Sequence, residues 1–489
     1  MANLKSLVKD TAIYGMSSIV GRFLNYLLVP LYTNVISAES GGYGVVTNLY
    51  SYVALIMAFL TFGMETTFFR YANDEKENPD TVFSTTMAMV SSLALTFLAI
   101  VFIFVNPLCD AIGYANHHDY VLMMASVVTL DAIQSIPFCY LRFKKRPIKF
   151  AFIKLLFIAM NISLNLIYFI SLKKTDVFYV FSLNLACTAL MSVFFIPEII
   201  SVKWKVDFRL LFRMFHYSWP ILVLSVTAVL NQAFDKIIFP WAYTRTGEYT
   251  IDEANTQLGI YGACVKVALI MAMITQAFRY AYEPIVFAKS KDGDSKEYYA
   301  VAMKYFVIFT LFAFLCVVGY LDILKYVIAK DYHDGLNTVP IVMAAEIMMG
   351  IYFNLSFWYK LIDKTFWGTI FSLTGCLVLV AVNIIFIPKY GYMACAWGGF
   401  SAYATAMTLC YIVGRFKNPI EYDLKSIGTY VLITALFFVA MQLSAYYVVS
   451  VPLRLVINTV LILLFVAHVI YHDLPLASLP VVGKYFRKK

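Results

Sequence analysis

Residues 82–105 read VFSTTMAMVSSLALTFLAIVFIFV, an unbroken run without one charged side chain. A bilayer's hydrocarbon core is about 30 Å thick and takes about 20 apolar residues of helix, so this stretch is long enough to cross it. Similar stretches recur on both sides, divided by short polar interruptions, at roughly 11–34, 44–69, 118–141, 148–171, 176–200, 215–241 and 258–284. The series continues at roughly 300–327, 335–359, 365–387, 391–414, 425–449 and 452–471, which predicts about fourteen transmembrane helices in an all-α polytopic membrane protein. Composition agrees: 61% of the 489 residues are hydrophobic and 14% charged, where soluble domains carry about 25% charge. So little charge cannot cover a soluble surface, which excludes a soluble enzyme, a disordered chain and a nucleic-acid binder.

Positive charge supports this division independently, because Lys and Arg in short loops stay on the cytoplasmic side. Alternate segments carry Lys5 and Lys9, Arg70 and Lys76, Arg142 to Lys149, Lys203 to Arg213, Lys289 to Lys304, Lys360 and Lys364, Arg415 to Lys425, and Lys484 to Lys489. The opposite loops hold only Lys173, Lys174, Arg245, Lys325, Lys330, Lys389 and Arg454. Both termini are therefore expected in the cytoplasm. The apolar run after Lys9 has no small-residue cleavage site behind it and is expected to be the first membrane helix.

Tyr43-Gly44 opens helix two, with Glu65 and Phe69 near its end; Tyr261-Gly262, Glu283 and Phe287 repeat that arrangement at one common offset, and Pro30 and Pro240 end the preceding helices. This repeat predicts two six-helix lobes in the same orientation, residues 1–205 and 206–415, related by an axis along the membrane normal. Residues 416–489 then add two helices and a basic tail.

Ten charged residues fall within the predicted spans: Arg22, Lys154, Lys236, Lys266 and Arg279 against Glu65, Asp131, Asp235, Glu283 and Glu346. Each costs about 2.5–3.5 kcal/mol or more at a helix centre, so each is expected to face a wet cavity or an opposite charge. Lys154, Glu65, Arg279 and Glu283 are within snorkelling reach of one interface, and Asp235, Lys236 and Lys266 lie toward the other. Arg22, Asp131 and Glu346 are too deep for that. Arg279 and Glu283 are four residues apart and could neutralise each other, as Asp235 and Lys236 could with neighbouring helices. The isolated acids Asp131, Asp235 and Glu346 are candidates for binding a coupling proton or cation, since a carboxylate in low dielectric is readily protonated.

Other chemistry is missing from the sequence. The cysteines form no C-x-x-C and have no histidine at ligand spacing, so they read as reduced packing residues, and no metal or cofactor is expected. There is no phosphate loop, zinc pair or nucleophile turn, and no long extramembrane insertion to house an enzyme.

Thr11-Ala-Ile-Tyr-Gly15, Gly21-Arg22, Pro30-Leu-Tyr-Thr33, Tyr43-Gly44, Ser218-Trp-Pro220, Asp235-Lys236 and Gly259-Ile-Tyr-Gly262 together resemble the polysaccharide and oligosaccharide-lipid flippase family. That family belongs to the multidrug/oligosaccharidyl-lipid/polysaccharide exporter (MOP) superfamily. The resemblance implies two six-helix lobes in a V, a basic central cavity and alternating access. It implies a polyprenyl-pyrophosphate-linked oligosaccharide as substrate, moved to the outer leaflet of a bacterial inner membrane for surface polysaccharide biosynthesis. Arg22 would contact the pyrophosphate, with Lys266 and Arg279 opposite it and Lys236 and Lys154 as further substrate-binding cations. Membrane lipids, a proton or sodium ion, and glycan-assembly proteins are the other expected partners. Five acids in the spans make the cavity less plainly cationic than this substrate favours. Two rivals follow: a cation-coupled multidrug exporter of the same superfamily, and a membrane assembly subunit that transports nothing.

Overall fold

The computed structural model describes residues 26–202, 204–289, 295–362 and 364–473. Arg22 and most of the expected first span lie outside the described residues, as does the side chain of Glu283. The described chain is helical throughout its regular parts, with no strand. Its helices are α1 (Leu28–Val35), α2 (Gly42–Thr61), α3 (Met64–Ala72), α4 (Pro79–Ile103), α5 (Val105–Ile112), α6 (His118–Phe143), α7 (Pro147–Leu166), α8 (Phe178–Ser192), α9 (Ile196–Ser201), α10 (Phe208–Thr244) and α11 (Ile251–Lys289). They continue as α12 (Ser295–Gly319), α13 (Leu321–Leu324), α14 (Thr338–Leu355), α15 (Phe357–Lys360), α16 (Phe366–Tyr390), α17 (Tyr392–Lys417), α18 (Leu424–Tyr447) and α19 (Val451–His472). Among the described residues, 12 helical spans are long and apolar enough to cross a membrane. α17 is of similar length and falls on the expected span 391–414, while most of the first expected span lies outside the described residues.

Single residues set several helix boundaries. Asn78 accepts a hydrogen bond from the Asp80 amide at 2.9 Å and is followed by Pro79, so α4 starts with a capped first turn. Asp207 caps α10 by accepting from the amides of Arg209 and Leu210 at 2.8 and 3.2 Å, which starts that helix at Phe208 rather than near the expected 215. α11 likewise starts at Ile251 rather than near 258, because its polar first turns, with Asp252 and Glu253 at the helix N-terminus, are helical without being apolar. α2 and α3 are separated by Phe62 and Gly63, both with positive φ (50° and 68°). At Gly63 a Cβ would lie 2.9 Å from Ile221, so this break needs glycine for both its backbone and its space.

Asp423 caps α18 through the Ser426 amide at 3.1 Å. The capping amides hold both Asp207 and Asp423 below the usual carboxylate range, with Lys304 adding to the effect at Asp423. A depressed folded pKa contributes stability that is present above the unfolded value of about 3.9 and lost as pH falls through the folded value. The Asp207→Ala/Asp423→Ala double variant is therefore expected to show a shallower fall in Tm than the parent below about pH 4. Thermal melts across that window check this; parallel curves would count against it.

The described chain divides into two compact units, one running to Ala263 and including Val380–Cys395, the other comprising Cys264–Leu379 and Ala396 onward. The first unit has an apolar core in which Leu60, Met64, Phe68, Val82, Phe83, Ile136, Leu210 and Met214 are buried. In the second unit α18 and α19 are fastened along α12. At one end Lys304 pairs with Asp423 at 3.1 Å and Asp473 at 2.5 Å, and the Tyr430 hydroxyl donates to Asp473. At the other end the Asn458 amide donates to the carbonyl of Gly319, the last residue of α12, at 2.8 Å, and Arg454 meets Asp322 of α13 at 3.0 Å. Such polar fastenings matter in lipid, where apolar surfaces gain little by meeting each other.

Candidate functional site

Three of the resembling motifs, Tyr43-Gly44, Asp235-Lys236 and Gly259-Ile-Tyr-Gly262, converge in the first unit. Gly44 on α2 lies against α11 so closely that a Cβ there would fall 1.8 Å from the Asn255 carbonyl oxygen. A Cβ on Gly259 would be 2.9 Å from the Gly44 nitrogen, and one on Gly262 2.4 Å from the Thr47 hydroxyl. The glycines of Tyr43-Gly44 and Gly259-Ile-Tyr-Gly262 thus let two backbones cross without side chains between them, the small-residue packing that favours helix association in membranes.

That crossing positions Tyr261, whose hydroxyl donates to Asp235 Oδ2 at 2.8 Å. Lys236 Nζ donates to both oxygens of Asp235, at 2.9 and 3.1 Å, and to the Gln232 carbonyl at 3.1 Å. The Asn48 amide of α2 donates to the Lys236 carbonyl at 2.7 Å and its oxygen accepts from Tyr114 at 2.9 Å. Asp235 is buried and Lys236 nearly so. The sequence anticipated charge pairing with neighbouring helices; the observed pair is between the two adjacent residues, completed by α11 through Tyr261.

A second polar group in the same unit surrounds Asp131 on α6. Asp131 is half-buried, and Lys154 of α7 lies within electrostatic range of both Asp131 and Glu65. The Lys154 ammonium stands 4.8 Å from the Phe138 ring centroid and 5.7 Å from that of Phe150. Nearby, Asn184 donates to the Tyr50 hydroxyl at 2.6 Å, and Gln134 donates to the Thr188 carbonyl and Ser192 hydroxyl, both at 2.9 Å.

In the second unit Arg279 is exposed, its guanidinium 4.7 Å from the Phe353 ring centroid, and Lys360 approaches the same ring at 4.6 Å. Two cations on one aromatic ring form a feature the sequence did not reveal, since Phe353 carries no charge and no motif; only the cation-π geometry shows it. Lys266 and Glu346 are half-buried on α11 and α14. Lys266 and Arg279 share α11 but are separated along its axis by about 20 Å, at 1.5 Å per residue. No group of three or more metal-ligating side chains occurs among the described residues.

The fold is that of the MOP-superfamily transporters. Lipid II flippase MurJ in an inward closed conformation matches over 95% of this chain and 99% of its own, with TM-score 0.70 and 14% identity. An inward-facing multidrug resistance MATE transporter of that superfamily matches over 80% of this chain and 93% of its own, with TM-score 0.63 and 14% identity. Another MATE multidrug transporter, DinF-BH, gives TM-score 0.60 and 16% identity over 84% of this chain and 96% of its own. No curated protein sequence matches the chain significantly. The family model described as "Polysaccharide biosynthesis protein" matches residues 39–337, more than half of the chain, and the chain belongs to that family.

Proposed function

We propose that this protein is a flippase that carries a polyprenyl-pyrophosphate-linked oligosaccharide from the inner to the outer leaflet of a bacterial inner membrane by alternating access. The observation that carries this reading is the polysaccharide-biosynthesis family match over residues 39–337 on a chain whose fold is shared by a lipid II flippase. The two six-helix lobes expected from the repeat, related by an axis along the membrane normal, would rock against each other, and no covalent chemistry is required of the chain. Arg22, Lys266 and Arg279 supply the cations for the pyrophosphate. Because Lys266 and Arg279 stand about 20 Å apart along one helix, they serve successive positions of the anion rather than one grip. Lys236 is held on Asp235 and its part is to balance that acid, while Lys154 packs on the Phe138 and Phe150 rings.

Asp131 favours a role in coupling. A half-buried intramembrane carboxylate can take a proton or cation in one state of the cycle, and Glu346 on α14 is the second candidate acid. The rival reading, a multidrug exporter, draws on the same acid and on the MATE-like fold. Transport of a labelled lipid-linked oligosaccharide against transport of a cationic dye separates the two.

Both termini are placed in the cytoplasm and residues 242–257 outside, on the Lys and Arg asymmetry. In a Cys-free background, Thr250→Cys is expected to react with an impermeant thiol reagent on intact cells and Arg146→Cys only after permeabilisation. The reverse pattern would overturn the topology.

A further inference from the structure

An intramembrane carboxylate is costly unless a proton, a metal ion or a basic side chain neutralises it. At Asp235 the third solution is complete. An ammonium has three N–H donors, and those of Lys236 find Asp235 Oδ1 at 2.9 Å, Asp235 Oδ2 at 3.1 Å and the Gln232 carbonyl at 3.1 Å. The carboxylate accepts one more hydrogen bond, from the Tyr261 hydroxyl at 2.8 Å, and the Tyr261 ring lies 5.5 Å from the ammonium. Adjacent helical residues project about 100° apart, so the Lys236 side chain must turn back along α10 to reach its neighbour. The Gln232 carbonyl, one turn earlier, holds it there. The Lys236 carbonyl is in turn bonded by Asn48 at 2.7 Å, so the pair joins α10 to both α2 and α11 beside the glycine crossing.

We propose that Lys236 is the resident counter-ion of Asp235: a tethered cation fills the place that an exchangeable ion would otherwise take, and this acid binds neither a proton nor a metal ion while the joint is made. Coupling, where it occurs, then belongs to other acids of the chain.

The test uses the purified full-length protein and reads thermal stability, so it needs no substrate and its outcome is separate from that of the flippase proposal. Melting is followed in sodium chloride and in N-methylglucamine chloride at equal ionic strength. The wild-type Tm is expected to be the same in both. Lys236→Met, which leaves Asp235 charged and alone, is expected to lose several degrees and to regain part of them with sodium or mild acid. The Asp235→Asn/Lys236→Met double variant is expected to recover most of the loss without any ion response, as a coupled pair requires. A wild-type Tm that rises in sodium, with the rise abolished in Asp235→Asn, would overturn the proposal. So would a Lys236→Met protein that melts like wild type and ignores ions. Should Lys236→Met fail to fold, the wild-type ion comparison and the double variant still decide.

Discussion

Gly44→Ala is expected to yield little or no folded protein in the membrane. The added Cβ would sit 1.8 Å from the carbonyl oxygen of Asn255, and the obstacle is backbone, which cannot rotate aside as a side chain would. Relief requires α2 and α11 to separate, which would also pull Tyr261 from Asp235 and Asn48 from the Lys236 carbonyl, bonded at 2.8 and 2.7 Å. Overpacking alone costs about 1–3 kcal/mol, and losing these buried bonds adds roughly 1 kcal/mol or more each. Gly399→Ala is the control, since a Cβ there meets nothing within 4 Å. Fluorescence-detected size exclusion on detergent extracts distinguishes them: Gly399→Ala should match wild type, and a well-behaved Gly44→Ala peak would contradict the packing account.

Lys266→Ala and Arg22→Ala are each expected to lower transport per folded molecule by about tenfold or more. A charge-assisted hydrogen bond to phosphate contributes roughly 1.5–3 kcal/mol, and a desolvated position gives it its full weight. Lys266 is half-buried on α11, about 22 Å from the helix start at 1.5 Å per residue, too deep for its charge to serve solubility. Arg22→Lys should retain charge but lose the two-pronged contact that a guanidinium makes with phosphate oxygens, and so fall between wild type and Arg22→Ala. Glycan export in a flippase-deficient strain, normalised to membrane protein level, checks the order; full export from Arg22→Ala would remove it from the substrate path.

Much of this architecture was legible in the sequence because lipid imposes one strong rule. A span must be apolar and helical for about 20 residues, and spans expected at 118–141 and 148–171 appear as His118–Phe143 and Pro147–Ser171. Polar helix was invisible to that rule, which is why α11 begins earlier than expected. Helix nine, expected to reach 327, ends at Gly319, where Asn458 of a distant helix takes the Gly319 carbonyl. The motifs Tyr43-Gly44, Asp235-Lys236 and Gly259-Ile-Tyr-Gly262 were visible one by one. Their convergence was not, because it depends on which backbones cross. The Asp235 and Lys236 pairing was equally hidden: side chains 100° apart on a helix meet here because a carbonyl one turn earlier and a tyrosine from another helix hold them.

Movement of a lipid-linked oligosaccharide between leaflets is read from its accessibility in proteoliposomes. Vesicles carrying a polyprenyl-pyrophosphate oligosaccharide with a fluorophore on the sugar are exposed to a membrane-impermeant quencher, with and without the purified protein. A flippase renders the inner-leaflet pool quenchable, and Lys266→Ala is expected to slow this. An inner-leaflet pool as protected as in empty vesicles, from protein that still expels a cationic dye, would contradict the flippase proposal.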